Sequence, residues 1–140
     1  MDSPAEIKAA LINALKESFE VFLQHGFSLR EAEAVASPTI VEAVVAGHSV
    51  AFVFQYDIRD AVMDCAVAQV SGGHVSQRGS GYFVPITTHL RSRSLPSRNP
   101  LSHLPRPVNP MDRIKYDTQV YAALAMLDNS LIEDKPSFGV

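Results

Sequence analysis

The chain predicts an α+β fold, with an antiparallel meander of three or four strands packed against an N-terminal and a C-terminal helix. Three observations carry this expectation. Residues 39–70 hold three short apolar runs, broken near Gly47-His48 and again near Asp57 to Asp60, which is the pattern of strands joined by tight turns. The segments on either side, about 4–24 and 110–128, repeat apolar residues every three or four positions, the period of a helix with one buried face. Neither an internal repeat nor a second-domain linker divides the 140 residues, so one compact domain spanning 1–140 is expected, with a Pro-rich crossover at 96–110 and a short C-terminal tail.

The opening helix follows from its cap. Ser3 precedes Pro4, a residue suited to a first helical turn, and Glu6 lies three positions after Ser3, the spacing of a capping box. Ile7, Leu11, Leu15, Phe19 and Phe22 then fall on one side, and Gly26 is the expected terminator. Ser28 to Ala36, with Glu31 three positions after its cap, predicts a short second helix before Pro38.

In the meander, Val50, Phe52, Phe54 and Tyr56 share a face opposite Ala51, Val53, Gln55 and Asp57. The aromatic face is expected to meet the first helix, and Met63, Cys65 and Val67 continue the core on the third run. Residues 39–46 are read as a strand, with a short helix as the competing reading because Pro, Glu and Ala also suit one. Ser71-Gly72-Gly73 is a break, and Tyr82 to Ile86 reads as an edge strand because Pro85 lacks the donor that a central ladder needs. Pro96, Pro100, Pro105, Pro107 and Pro110 exclude a continuous helix and predict an extended crossover. The closing helix is expected from about Pro110 to Asp128, with Ile114, Val120, Tyr121, Leu124 and Leu127 inward and Arg113, Lys115 and Gln119 in water. Leu131 and Ile132 extend its packing.

Charge and composition narrow the function classes. The net charge of −3 argues against a wholly basic nucleic-acid-binding surface, yet the acidic residues concentrate in the first half of the chain, which suits attraction of a basic partner. Cys65 is the only cysteine, so no intrachain disulfide forms, and its neighbours predict a small buried hydrophobe. No apolar run approaches the length of about 18 residues that a transmembrane helix needs, and the opening residues carry no secretion pattern. A cytoplasmic location without membrane association is the default expectation.

Motif chemistry is sparse. Asp57, Arg59, Asp60 and Asp64 form the densest charged cluster; carboxylates at a turn serve the turn itself first, and partner recognition, cation binding or acid–base work only when they converge. His25, His48, His74, His89 and His103 lack metal-ligand spacing, and Ser71, Ser76 and Ser80 do not establish a nucleophile. The Gly72-Gly73 and Gly79-Ser80-Gly81 turns lack the lysine of a phosphate loop and a dinucleotide fingerprint. No catalytic residue, metal site or cofactor is therefore assigned. Arg91, Arg93 and Arg98 make a basic segment read as a solvated loop or a secondary protein-contact surface; with no aromatic array or DNA-binding motif around them, nucleic acid is an unfavoured partner.

The helix ending near His25-Gly26-Phe27, the segment Val50-Ala-Phe-Val-Phe-Gln-Tyr-Asp-Ile-Arg-Asp60, the following Met63-Asp-Cys-Ala-Val67 and the amphipathic closing helix together resemble small α+β immunity proteins. These accompany bacterial toxins in interbacterial competition, including contact-dependent inhibition. The resemblance implies a non-enzymatic immunity or inhibitor protein that binds and neutralises a cognate toxin, with Glu42, Asp57, Arg59, Asp60 and Asp64 as candidate contacts. Two alternatives stay open: a small hydrolase joining one of Asp57, Asp60 and Asp64 to a histidine, and a regulatory scaffold subunit.

Overall fold

A computed structural model describes residues 3–31 and 39–136. In chain order the elements are α1 (Pro4–Ser18), α2 (Glu20–Gln24), β1 (Ser28–Glu31), β2 (Ile40–Ala46), β3 (Val50–Asp57), β4 (Val62–Ser71), β5 (His74–Val75), β6 (Phe83–Pro85), α3 (Ile86–Ser92), α4 (Pro110–Ala125) and α5 (Asn129–Ile132). The architecture is α+β. The meander β2-β3-β4 is wholly antiparallel, as expected, but the sheet has six strands among the described residues rather than three or four. β1 extends it on one side, and β5 and β6 pair successive parts of β4 on the other. The strand reading of 39–46 holds over Ile40–Ala46, with Thr39 in the preceding turn. The edge strand around Pro85 is present, with Pro85 opposite Ala66.

Ser3 caps α1, its hydroxyl accepting from the Glu6 amide at 3.2 Å and lying 3.2 Å from the Glu6 carboxylate. The continuous helix expected to Gln24 instead breaks at Phe19, where φ −103° and ψ 23° leave the helical range. The break turns Phe19 and Phe22 together onto the sheet, and both are fully buried. Phe19 packs 5.4 Å from Phe52 and edge-on to Phe54 at 5.2 Å; Phe22 meets Phe52 at 5.0 Å and Phe27 at 5.3 Å. Gly26, at φ +93°, makes the reversal that brings Phe27 back to this cluster.

The helix expected over 28–36 is not formed at its start, and its remainder lies outside the described residues. Ser28–Glu31 is a strand in register with Ala43–Ala46. The capping pattern loses to the ladder because β2 would otherwise leave an unpaired edge, and because pairing sets Leu29 opposite Val45 on the core face.

Helices α1 and α4 lie side by side on the aromatic face. The Ser18 and Thr118 hydroxyls meet across them at 3.0 Å, and Lys115 approaches Glu17 at 3.7 Å. Asn109 caps α4 with its side-chain oxygen. The helix stops at Ala125, short of the expected Asp128, because the Asp128 carboxylate is used to cap α5. Leu127 is consequently 40% exposed rather than part of the packed stripe, whereas Leu131 is fully buried. Arg113 is not on the wet side; it is half-buried and donates to the Ala61 carbonyl at 3.4 Å. Tyr121 donates to the Met63 carbonyl at 2.8 Å, so α4 closes part of the β4 edge that β6 does not reach.

No helix covers the opposite sheet face in the described residues, yet Val44, Ala46, Ala51, Val53, Ala66, Ala68 and Val70 there are buried. Curling of the sheet explains this. Arg30 on β1 donates to the Gly73 carbonyl of the β4–β5 turn at 3.0 Å, although in a flat sheet β1 and β4 would lie about 14 Å apart. The curl folds the sheet over its own small side chains, and Val75 and Phe83 pack against them.

The C-terminal segment is stapled to the β2–β3 turn. The Asp134 carboxylate accepts from three successive amides, His48, Ser49 at 2.8 Å and Val50 at 2.9 Å. Gly47 is required there, since a Cβ would stand 2.6 Å from that carboxylate. No described helix is long and apolar enough to cross a membrane.

Because Phe52 joins rings from the α1–α2 break, α2 and the following turn, Phe52→Ala is expected to destabilise the fold by about 3–5 kcal/mol. Chemical denaturation followed by circular dichroism measures it, and a loss below about 1 kcal/mol would show that the cluster is not the keystone.

Candidate functional site

Strand alternation decides which side chains leave the core. On β2, β3 and β4 the residues Glu42, Gln55 and Asp64 stand directly opposite one another, forming a polar row on the helix-free face. One row further along, Ile40, Asp57 and Val62 form the next set on the same face. The structure therefore brings Glu42, Asp57 and Asp64 to one end of one face. Gln55 donates to Glu42 at 3.0 Å, Asp64 is exposed, and Val62 between the carboxylates is 48% exposed. Sequence reading treats Asp64 as part of the turn cluster and Glu42 as separate; pairing register unites them.

Asp57 has a second duty. Its Oδ1 accepts from the Arg59 amide at 2.9 Å and the Asp60 amide at 3.2 Å, closing the β3–β4 turn, and Ala61 takes up a left-handed φ of 54° to complete it. Arg59 and Asp60 are exposed at the tip. The turn is thus a rigid mount from which Asp60, Arg59 and Asp64 reach solvent.

The secondary basic residues separate. Arg91 is exposed in the last turn of α3, Arg98 is exposed in the crossover, and Arg93, also exposed, is tied to Asp128 with its Nε 2.8 Å from the carboxylate. They do not make the continuous basic loop that their spacing predicts, because 86–92 is helical and directs His89 into the core.

His89 belongs to a buried relay that the spacing of the histidines did not reveal. Its ring is 1% exposed; Nε2 lies 2.9 Å from Asp128 Oδ2, and Nδ1 lies 2.7 Å from the Tyr82 hydroxyl. Asp128 is itself 3% exposed and also accepts from the Ser130 amide at 3.0 Å and hydroxyl at 2.7 Å. Burial pushes its carboxyl up, but the Ser130 and His89 hydrogen bonds and the Arg93 guanidinium together hold it below the ordinary carboxylate range. An anionic Asp128 accepts from Nε2–H, and the Tyr82 hydroxyl closes the other side of the ring at Nδ1. Burial raises the Tyr82 phenol, so this hydroxyl is held protonated.

These groups link β6 and α3 to the α4–α5 junction. The order hydroxyl, imidazole, carboxylate is also that of a general-base relay. Asp128 lies 39 positions after His89, so only the tertiary approach shows it.

The remaining chemistry-bearing residues stay apart. His89 takes Asp128 rather than Asp57, Asp60 or Asp64, and His25 bonds its own helix through the Val21 carbonyl at 2.7 Å. Cys65 is buried, which drives its thiol far above its ordinary value and removes it as a nucleophile. Among the described residues, no three His, Cys, Asp or Glu side chains gather as a metal-ligand set.

Asp128→Asn should cost about 2–3 kcal/mol at neutral pH, because the amide sets a donor against His89 and Arg93. A carboxyl held low in the fold stabilises fully above about pH 4 and loses that contribution as pH falls through its lowered value. The gap between wild type and variant in urea titrations should therefore shrink in acid; a gap constant from pH 7 to pH 2 would exclude an ionised Asp128.

No protein-family model, curated protein or solved structure matches this chain, so the reading of its function rests on its own side chains.

Proposed function

We propose that this protein is a non-enzymatic immunity or inhibitor protein that neutralises a cognate bacterial protein toxin by binding it through the acidic end of the helix-free sheet face. The observation that supports this is the shared projection of Glu42, Asp57 and Asp64 from paired strands, with Asp60 and Arg59 on the adjoining turn. Carboxylates spaced along a rigid sheet speed encounter with a basic surface and reject an acidic one, while exposed Val62 offers apolar contact among them. Arg59 gives the surface one inverse charge, which favours a partner with a matching acid and so sharpens choice. Recognition of this kind needs no cofactor.

The test pairs the protein with toxins encoded beside it. Asp60→Lys combined with Asp64→Lys should weaken binding at least about tenfold and flatten its salt dependence, with an unchanged melting temperature. Asp57 is unsuitable for this test because it also closes the turn. Unaltered affinity in the double variant would remove this face from the interface, and failure of every neighbouring toxin to bind would end the inhibitor reading.

A second reading, a histidine-dependent hydrolase, is favoured by the Tyr82–His89–Asp128 alignment. Here Tyr82 would pass its proton to His89 as its oxygen attacked an activated ester, the C–O bond to the leaving group would break with that proton returned to the departing oxygen, and water would then hydrolyse the tyrosyl ester. Turnover of a p-nitrophenyl ester abolished by Tyr82→Phe, yet intact in Asp60→Lys, would select that reading over the inhibitor.

A further inference from the structure

Ser94 stands in the turn that ends α3, within Arg91-Ser92-Arg93-Ser94-Leu95-Pro96. Of the serines in the chain it is the one with a basic residue three positions before it, and the one threonine so placed, Thr118 after Lys115, is fully buried. Arg91 is exposed and makes no ion pair among the described residues.

The turn goes against a local preference. The Ser94 amide donates to the Arg91 carbonyl at 3.0 Å and the Leu95 amide to the Leu90 carbonyl at 2.9 Å, the paired bonds of a Schellman motif. That motif sets Ser94 at φ +58°, the left-handed region where glycine or asparagine is the usual choice. Serine is strained there without compensation, since its hydroxyl is exposed and has no hydrogen-bond partner among the described residues. Arg91 to Ser94 are all exposed, whereas α3 reaches the core through Ile86, His89 and Leu90. Unwinding the last turn therefore breaks the two cap bonds, the 2.6 Å bond from the Ser92 hydroxyl to the His89 carbonyl and the Arg93–Asp128 contact. It uncovers no core side chain, so the segment can open locally while the fold stays intact.

We propose that Ser94 is a phosphorylation site for an arginine-directed serine kinase, and that its phosphate draws Arg93 away from Asp128. Such a kinase receives the opened segment in a groove whose carboxylates make two-point contacts with Arg91. The Ser94 hydroxyl oxygen bonds to the γ-phosphorus of ATP as the bridging β–γ P–O bond breaks. ADP leaves with the electron pair, and the hydroxyl proton passes to the catalytic aspartate of the kinase. The product carries about −1.5 to −2 charges. It stands one residue from Arg93, whose Nε is 2.8 Å from Asp128 Oδ2, and a solvated dianion so placed competes with that single carboxylate. The contact between the end of α3 and the α4–α5 junction thereby comes under control of the modification. None of the acidic residues on the toxin-binding face takes part.

Full-length protein incubated with ATP and the catalytic domain of a calmodulin-dependent kinase, an arginine-directed enzyme, should take up one phosphate, mapped to Ser94 by peptide mass. Arg91→Gln should lower kcat/KM for this transfer at least about tenfold at an unchanged melting temperature. Ser94→Gly should abolish the transfer and raise the melting temperature, because glycine suits the left-handed position. Arg93→Gln should lower the melting temperature of the unmodified protein, and that of the phosphorylated protein by at most about half as much. No transfer to the folded protein, transfer only after heat denaturation, or transfer that Arg91→Gln leaves at full rate overturns the phosphorylation site. An Arg93→Gln effect of the same size before and after modification overturns the release of Arg93 from Asp128.

Discussion

Five phenylalanines hold the molecule to one arrangement. Phe19 and Phe22 come from the broken first helix, Phe27 from the turn after it, and Phe52 and Phe54 from the central strand, with Tyr121 of α4 reaching Phe54 at 6.2 Å. Rings of this size dominate apolar burial, and their edge-to-face contacts are directional, so they set the position of helix on sheet as well as its stability. The kink at Phe19 follows from this demand. A straight helix would distribute its aromatics along one stripe, whereas the break lets two successive turns address the same strand.

The polar row on the sheet is placed by the other side of that packing. With alternate residues of β3 committed to the rings, Gln55 and Asp57 must face away, and the ladder then aligns Glu42 and Asp64 with them. The sheet curls over the small residues nearby, and no described helix covers the face. An apolar floor ending in carboxylates results. The buried relay at the other helices is a consequence of the same economy: where α4 ends, Asp128 turns to cap α5 and is met by His89 and Arg93, while the Tyr82 hydroxyl pairs with the far nitrogen of the imidazole.

Much of this organisation is legible residue by residue. Ser3-Pro4, the aliphatic stripe from Ile7, the alternation through Val50–Asp57 and the proline that opens α4 are local signals with short reach, and each appears where it points. Failures occur where a local signal competes with a distant partner. Ser28 carries a helical cap pattern, yet the open edge of β2 takes the segment as a strand. Leu127 continues a helical stripe, yet the capping demand of Asp128 ends the helix first. Histidine spacing likewise carries no trace of the relay, because Tyr82 and His89 are close in sequence while their acid arrives from the next helix.

By itself the sequence determined the α+β class, the meander, the aromatic face and the identity of the charged turn, since these depend on periodicity and turn chemistry within a few residues. Tertiary structure alone decided the six-strand count and the curl that buries the second face. It also decided the union of Glu42 with Asp57 and Asp64, the Asp134 staple and the ionised Asp128 beside His89. Each of these depends on which distant backbone or side chain is left without a partner when the core closes, a quantity that no local pattern contains.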